Sequence, residues 1–433
     1  MESQRQLSAR LRSLLVCGIV AGGLGALAVL VLAACAAPPP QAADTRDVVF
    51  VVMLDQKPVA GAAIYANGAP LADVATGEFI TGGDGRLTAR VADDESVVAL
   101  QQAALFTTTR PAHAWLAEPL RSFAAAGDQP NWKYQVLLTS MAWNEAGVVP
   151  AEPIGASRIV TLTLSRQRPL ILFNLLVSIE WDAHQGYVED LDLAMRRASG
   201  YLWDLTDGQM ALGQVRIVDN RENWWEADIQ ILARNTTKPH ASIDGIERNL
   251  NPQNYRIQLS PYWNRRGAMD PGSPWSEQDG FRTIVHELGH YALGLYDEYI
   301  GPDGASHACT TRQPDACFDS TGASAMNYQY TTSELSAHNV ADLWSDACEN
   351  TLQWFNTTGE SAWQTVARRF SAPDAWEIVA PRRVMPGPQP GAWPIALPPL
   401  PMVDPAVGAY DQAQLAPYTV TVSSPVTMPT TSV

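Results

Sequence analysis

The sequence predicts an α+β fold in two parts: a small antiparallel β-sandwich over residues 47–165, then a mixed strand-and-helix domain over 168–372. Three observations carry this. In the first part, short β-branched runs alternate with turns containing Gly and Pro. After Arg166-Gln167-Arg168-Pro169 the pattern becomes strands separated by helical periodicity. Past Ala372 the chain turns Pro-rich and loses both patterns.

The 433 residues are ample for two or three domains. A net charge of -16 disfavours nucleic acid and anionic lipid as partners. Residues 1–35 read as an export signal. Arg5, Arg10 and Arg12 form a basic start, and Leu14 to Ala34 is apolar and uncharged. A retained membrane span is the competing reading. The end of the run, Leu32-Ala33-Ala34-Cys35, resembles the lipobox of bacterial lipoproteins. That resemblance implies cleavage before Cys35, lipid on its thiol, and a protein anchored at the outer face of a bacterial membrane. Residues 36–46 then form an extended tether.

Val48 to Leu54 is the first strand of the sandwich, and Ala63 to Ala66 follows a turn at Lys57–Ala62. Thr81-Gly82-Gly83-Asp84-Gly85-Arg86 is a turn before Leu87–Val91, and Ile159–Leu164 closes the unit. This order resembles Ig-type repeats of bacterial surface proteins. In the second part, Leu170–Trp181 is a strand. Tyr187–Trp203 is a helix with Leu191, Ala194, Met195, Ala198 and Leu202 on one face. Strands follow at Val215–Val218, Asp228–Leu232 and Tyr255–Leu259. Residues 373–433 read as a linker or stalk, with Tyr418–Val422 a lone strand.

The chemistry concentrates on one helix. Phe281, Ile284, Val285, Leu288 and Ala292 recur at helical spacing, so Ser276 to Leu293 is an amphipathic helix. His286 and His290 lie one turn apart on one face and can share an ion. Glu287 stands about 100° round the axis, off the ligand face but within reach of a water there. A chance HExxH in such a chain is roughly a one-in-a-hundred event. Catalytic zinc needs a third protein ligand and an open position. On a continued helix, Asp297 would lie about 10 Å further along the axis than His290. Gly294 can end the helix in the left-handed conformation and turn the chain back. Asp297 is therefore the expected third ligand, with Glu298 and the more distant Glu334 as alternatives.

His286-Glu287-Leu288-Gly289-His290 through Gly294, Asp297 and Glu298 resembles the metalloprotease segment of the calcium-activated chloride-channel regulator (CLCA) family, whose pattern is HExxHxxxGxxDE. It is a metzincin-like pattern with Gly and Asp displaced by one. The resemblance covers about 170 to 370. It implies zinc held by His286, His290 and Asp297, and Glu287 as the catalytic base of a peptidase. Ser324-Ala325-Met326-Asn327-Tyr328 resembles a Met-turn, with Met326 structural beneath the metal. Its SxMxY form is similar to that of astacins, which implies an oxyanion-stabilising role for Tyr328; a packed core tyrosine is the competing reading. The match departs at Ala362, where a second Cys is expected, leaving Cys348 without an obvious partner.

Cys17 leaves with the signal, and Cys309, Cys317 and Cys348 remain in the exported part. One disulfide and one free thiol are expected; Cys309–Cys317 closes the shortest loop, and the sequence leaves the pairing open. The expected function is an extracytoplasmic zinc endopeptidase acting on proteins or peptides, the chain itself included. A surface adhesion protein with an inert zinc-binding domain is the alternative.

Overall fold

The computed structural model describes residues 45–381, except for several short stretches of which 108–131, 249–254, 265–271 and 310–323 are the longest, together with 419–422. The expected signal, Cys35, the tether to Asp44, Cys317 and most of the Pro-rich tail lie outside the described residues. Among the described residues, no helix is long and apolar enough to cross a membrane.

The architecture is mixed α+β. The N-terminal strands are β1 (Thr45–Leu54), β2 (Lys57–Pro58), β3 (Ala63–Ala66), β4 (Ala69–Pro70), β5 (Arg86–Ala92), β6 (Val97–Thr107) and β7 (Trp132–Thr139). A short hairpin, β8 (Ala142–Asn144) with β9 (Gly147–Val149), and β10 (Ile159–Thr163) follow. One four-stranded sheet joins β1, β2, β5 and β10. The alternation of Val48, Phe50 and Val52 turns one face of β1 into the core, as a half-buried strand should. The expected all-antiparallel arrangement is corrected here: β10 runs parallel to β1. A crossover from β1 to a parallel neighbour needs intervening chain, which β2 to β9 supply.

The second sheet has ten strands and crosses the expected boundary at 165–168. Strand β11 (Ser165–Ile179) runs through that boundary. Its Pro169-containing start looks like a linker in sequence, yet Leu170 to Phe173 are fully buried. Residues Leu170–Phe173 pair antiparallel with Tyr134–Leu137 of β7, which continues to β6, β3 and β4. Helix α1 (Gln185–Leu205) follows, and the buried residues Leu191, Ala194, Met195, Ala198 and Leu202 form the expected face. β12 (Met210–Val218) pairs parallel along β11. β13 (Ile229–Ile231) pairs parallel with the last three residues of β11. β14 (His240–Ala241) pairs antiparallel with β15 (Ile257–Leu259), which lies beside β13. Parallel central strands buried on both faces explain the unbroken apolar run of β11. The lone strand in the tail, Thr419–Val422, adds parallel to β12.

Helix α2 (Gly245–Arg248) is one turn long. Helix α3 (Gln278–Tyr291) carries the HExxH residues. Its polar face is not turned to solvent: Gly280 to Tyr291 are all buried, Arg282 and Thr283 included. Arg282 sits over the Tyr201 ring of α1, 5.1 Å from its centroid, and donates to the Tyr330 carbonyl. Arg282 thus makes polar contacts despite its burial, and the Thr283 hydroxyl donates to the Asp279 carbonyl. Among the described residues, three further short α-helices follow, α4 (Ala325–Tyr328), α5 (Leu352–Asn356) and α6 (Ala362–Phe370), with 3-10 turns at Ala341–Leu343 and Asp346–Asn350.

Candidate metal centre

Helix α3 ends one residue after Tyr291, with the Ala292 N–H bonded to the Leu288 carbonyl at 2.8 Å. Gly294 then takes φ +69°, the left-handed conformation that a side chain resists. The reversal brings the Leu295 N–H to the Gly289 carbonyl at 3.0 Å. Two residues later Asp297 faces the helix it has just left. Its Oδ1 lies 3.4 Å from His286 Nε2 and 3.2 Å from His290 Nε2.

These three groups form a possible metal site, with one ligand atom from each within 4.8 Å of the others. Both imidazoles are fixed from behind. His286 Nδ1 donates to the Ala325 carbonyl at 2.9 Å, and His290 Nδ1 donates to the Leu295 carbonyl at 2.7 Å. A carbonyl only accepts, so each Nδ1 carries the proton and each neutral ring presents a bare Nε2 lone pair. Asp297 Oδ1 is buried and accepts no hydrogen bond. Three converging lone pairs with no donor among them suit a cation. Ligands about 2.0–2.2 Å from tetrahedral zinc stand about 3.3–3.5 Å apart. Of the two N···O separations, 3.4 Å falls within that spacing and 3.2 Å just below it.

Without an ion, the three groups act on one another. Burial works against ionisation of Asp297, but the two imidazoles reverse it and hold the carboxyl well below its ordinary range. Burial pushes His286 down, and Asp297 and Glu287 more than offset this, so its pKa is raised. Glu287 is buried beside the cluster, and its pKa is raised by burial, with His286 and His290 opposing.

The two other acids considered as ligands are elsewhere. Glu298 turns into the core, where Ser336 Oγ donates to its Oε1. Burial is the largest influence on it, and the Ser324 and Ser336 hydroxyls only partly offset this, leaving a pKa of about 7. Glu334 is buried on the Tyr201 side, and its carbonyl accepts the Ala325 N–H at 2.8 Å. Met326 lies under the helix: a Cβ built on Gly289 would come within 2.7 Å of its Sδ. The Met326 carbonyl accepts the Glu298 N–H at 3.0 Å. The turn thus touches the helix, the first histidine and the loop carrying Asp297.

Tyr328 is half-buried and lines a cavity of about 730 Å³ together with His286 and Glu287. Tyr299 was overlooked in the sequence. Its ring is stacked near His286, with centroids 6.5 Å apart at 26°. Burial, then the charge of Asp297 and a hydrogen bond to it, raise its pKa. The available signal was position: Tyr299 follows the Asp-Glu pair on the same returning loop.

Cys348 has a partner after all. It is disulfide-bonded to Cys309, with Cα atoms 4.1 Å apart. The shortest-loop pairing of Cys309 with Cys317 is therefore corrected. Asn327 Nδ2 donates to the Cys309 carbonyl at 2.6 Å, so the bridge braces the turn carrying Met326.

No family model matches this chain, and no curated protein matches it. Two solved structures of myroilysin are similar at 14% identity, with TM-scores of 0.20 and 0.19. The similarity covers 31% of this chain and 54% and 48% of those chains. The chain thus matches about half the length of those neighbours, and a likeness this slight carries no argument about the site.

Proposed function

We propose that this chain is a metzincin-like, zinc-dependent endopeptidase of the CLCA-resembling type, acting outside the cytoplasm. The observation that carries the reading is the convergence of His286, His290 and Asp297 with Glu287 beside them at a cavity wall. Two nitrogens and one carboxylate oxygen form a donor set that suits zinc. His286, His290 and Asp297 would hold the metal. Bound zinc would supply a Lewis acid that polarises a peptide carbonyl and makes water acidic at neutral pH. Glu287 takes the proton from the attacking water and passes it to the leaving amine. Its raised pKa suits a carboxylate that must hold a proton briefly. Tyr328 is assigned a hydrogen bond to the carbonyl oxygen as charge develops there. Met326 supports the helix and takes no part in the chemistry.

Substrates are proteins or peptides at the cell surface or in the periplasm, this chain among them. The Cys309–Cys348 disulfide suits an oxidising compartment. Lipid on Cys35 would hold the protein at the outer face of a bacterial membrane. The test is a casein digest with zinc content measured in parallel. Glu287→Gln should keep stoichiometric zinc and lose about 10²–10⁴-fold in rate. His290→Ala should lose the zinc as well. Undiminished cleavage by Glu287→Gln would overturn the mechanism.

A further inference from the structure

Aromatic rings form one part of the wall of the cavity beside Glu287, among polar residues such as Asn264, Asn327 and Gln329. Tyr262, Trp263, Tyr328 and Tyr330 line it, drawn from two separate segments of the chain. The Trp263 and Tyr330 rings meet with centroids 5.5 Å apart at 44°. Tyr328 packs edge-on against Tyr330 at 5.1 Å. All four are half-buried.

These rings are held from behind. Trp263 rests on Trp275, which is fully buried and donates its indole N–H to the Ser260 carbonyl. Tyr262 packs edge-on against Tyr187, whose hydroxyl donates to the Pro261 carbonyl at 2.6 Å. A wall backed this way is preorganised and needs little rearrangement to receive a ligand. Charge is sparse. Apart from His286, the lining residues carry one cation, Lys238, and one carboxylate, Glu287.

A volume of about 730 Å³ falls within the range of pockets that enclose a ligand. It accommodates a large side chain with some of its flanking main chain. Planar rings stack well on such a wall, at about 0.5–1.5 kcal/mol per ring pair beyond the area they bury. A small side chain would leave the rings in contact with water.

We infer that this cavity seats an aromatic side chain of the substrate, next to the bond that is cut. The inference rests on the endopeptidase reading and deepens it. Trp263 and Tyr330 are assigned as the specificity-determining residues.

The experiment uses the full chain loaded with zinc and a randomised peptide library, with cut sites read by mass spectrometry. Phe, Tyr and Trp should be enriched at one position flanking the cut. In matched peptides, kcat/KM with an aromatic residue there should exceed that with Ala by about tenfold. Trp263→Ala and Tyr330→Leu should each shrink that ratio several-fold with zinc content and circular dichroism unchanged. If Trp263→Ala fails to fold, Tyr330→Leu carries the test alone. Cleavage without aromatic enrichment, or a ratio unmoved in the folded variants, overturns the pocket assignment and leaves the endopeptidase standing. No cleavage by the zinc-loaded wild-type chain overturns both.

Discussion

Gly289 lies between the two histidines in sequence and directly above Met326 in space. A methyl group there meets the Met326 sulfur at 2.7 Å. Two effects compete in Gly289→Ala. Replacing a helical glycine contributes up to about 1 kcal/mol of stability. Overpacking costs about 1–3 kcal/mol where nothing can move, but the end of a methionine side chain can move. The global stability should therefore change by about 1 kcal/mol or less. Metal affinity should be the sensitive quantity. Met326 is next to Ala325, whose carbonyl fixes His286 Nδ1, and disturbing such a partner typically weakens metal binding about 10–100-fold. Chelator competition, run beside a thermal melt, checks this; unchanged zinc affinity would refute the coupling. Much of this centre was legible in the sequence. The HExxH spacing, the displaced Gly294 and the reach of a reversed chain pointed to Asp297, because all of them are local. The fate of Glu298 was not legible, because the hydroxyl that receives it belongs to Ser336, far along the chain. Tyr299 escaped for a related reason. Its place on the returning loop was visible, but not that its ring turns back toward His286.

Elements end where local chemistry stops them, and the end of α1 has a measurable consequence. The Asp207-Gly208 pair follows the last residues of the helix, and both take positive φ. Asp207 is also buried, with Oδ2 unpartnered. Burial raises its carboxyl to about 6; Arg168 opposes this and Asp204 adds to it. An unfolded Asp ionises near pH 4. Between about pH 4 and 6 the unfolded chain has lost this proton and the folded chain has kept it. The folded state therefore loses stability as pH rises through that window and is level above it. The expected cost at pH 7 is about 1–3 kcal/mol. Asp207→Asn keeps a residue that tolerates left-handed φ and never ionises. Its urea midpoint should gain on the wild type between pH 4.5 and 7. A constant gap between the two proteins across that range would rule the effect out. Protonation of the zinc ligands affects both proteins alike and drops out of the comparison. The pairing of Cys348 was illegible at this scale, because three thiols separated by loops have no periodicity to order them.

On the scale of the whole molecule, one sheet unites what the sequence divides in two. Composition changes at Arg166–Pro169, and the change was read as a boundary between domains. It marks a bulge in the ladder with β7 instead, and the strand changes partner only further along. One edge of β11 pairs with β7 over Leu170–Phe173 and with β13 over Val177–Ile179. At the fork the Leu176 N–H has no strand opposite, and Asp228 Oδ2 accepts it at 2.8 Å. The other oxygen of Asp228 takes Lys133 Nζ at 2.7 Å and the Tyr291 hydroxyl at 2.5 Å. Lys133 comes from β7 and Tyr291 from the HExxH helix, so one buried carboxylate ties the N-terminal strands to that helix. Aromatic packing does the same on the other side. Tyr134 of β7, Phe173 of β11 and Phe370 of α6 meet with centroids 5.5–5.8 Å apart. Periodicity reports which residues are buried, and it cannot report that two patterned segments share a sheet. A chain beginning at Arg168 should therefore not behave as a free-standing domain. It lacks β7, which exposes the edge of β11 at four fully buried apolar residues and invites aggregation. It also lacks Lys133, leaving the Asp228 carboxylate buried without its cation, a loss of about 3–5 kcal/mol for a buried pair. That is a large part of the about 5–15 kcal/mol available to a typical domain. Residues 168–433 produced alone should show no cooperative thermal transition and less than stoichiometric zinc. A sharp transition with one zinc per chain would restore the boundary at 168 and make the shared sheet dispensable to the site.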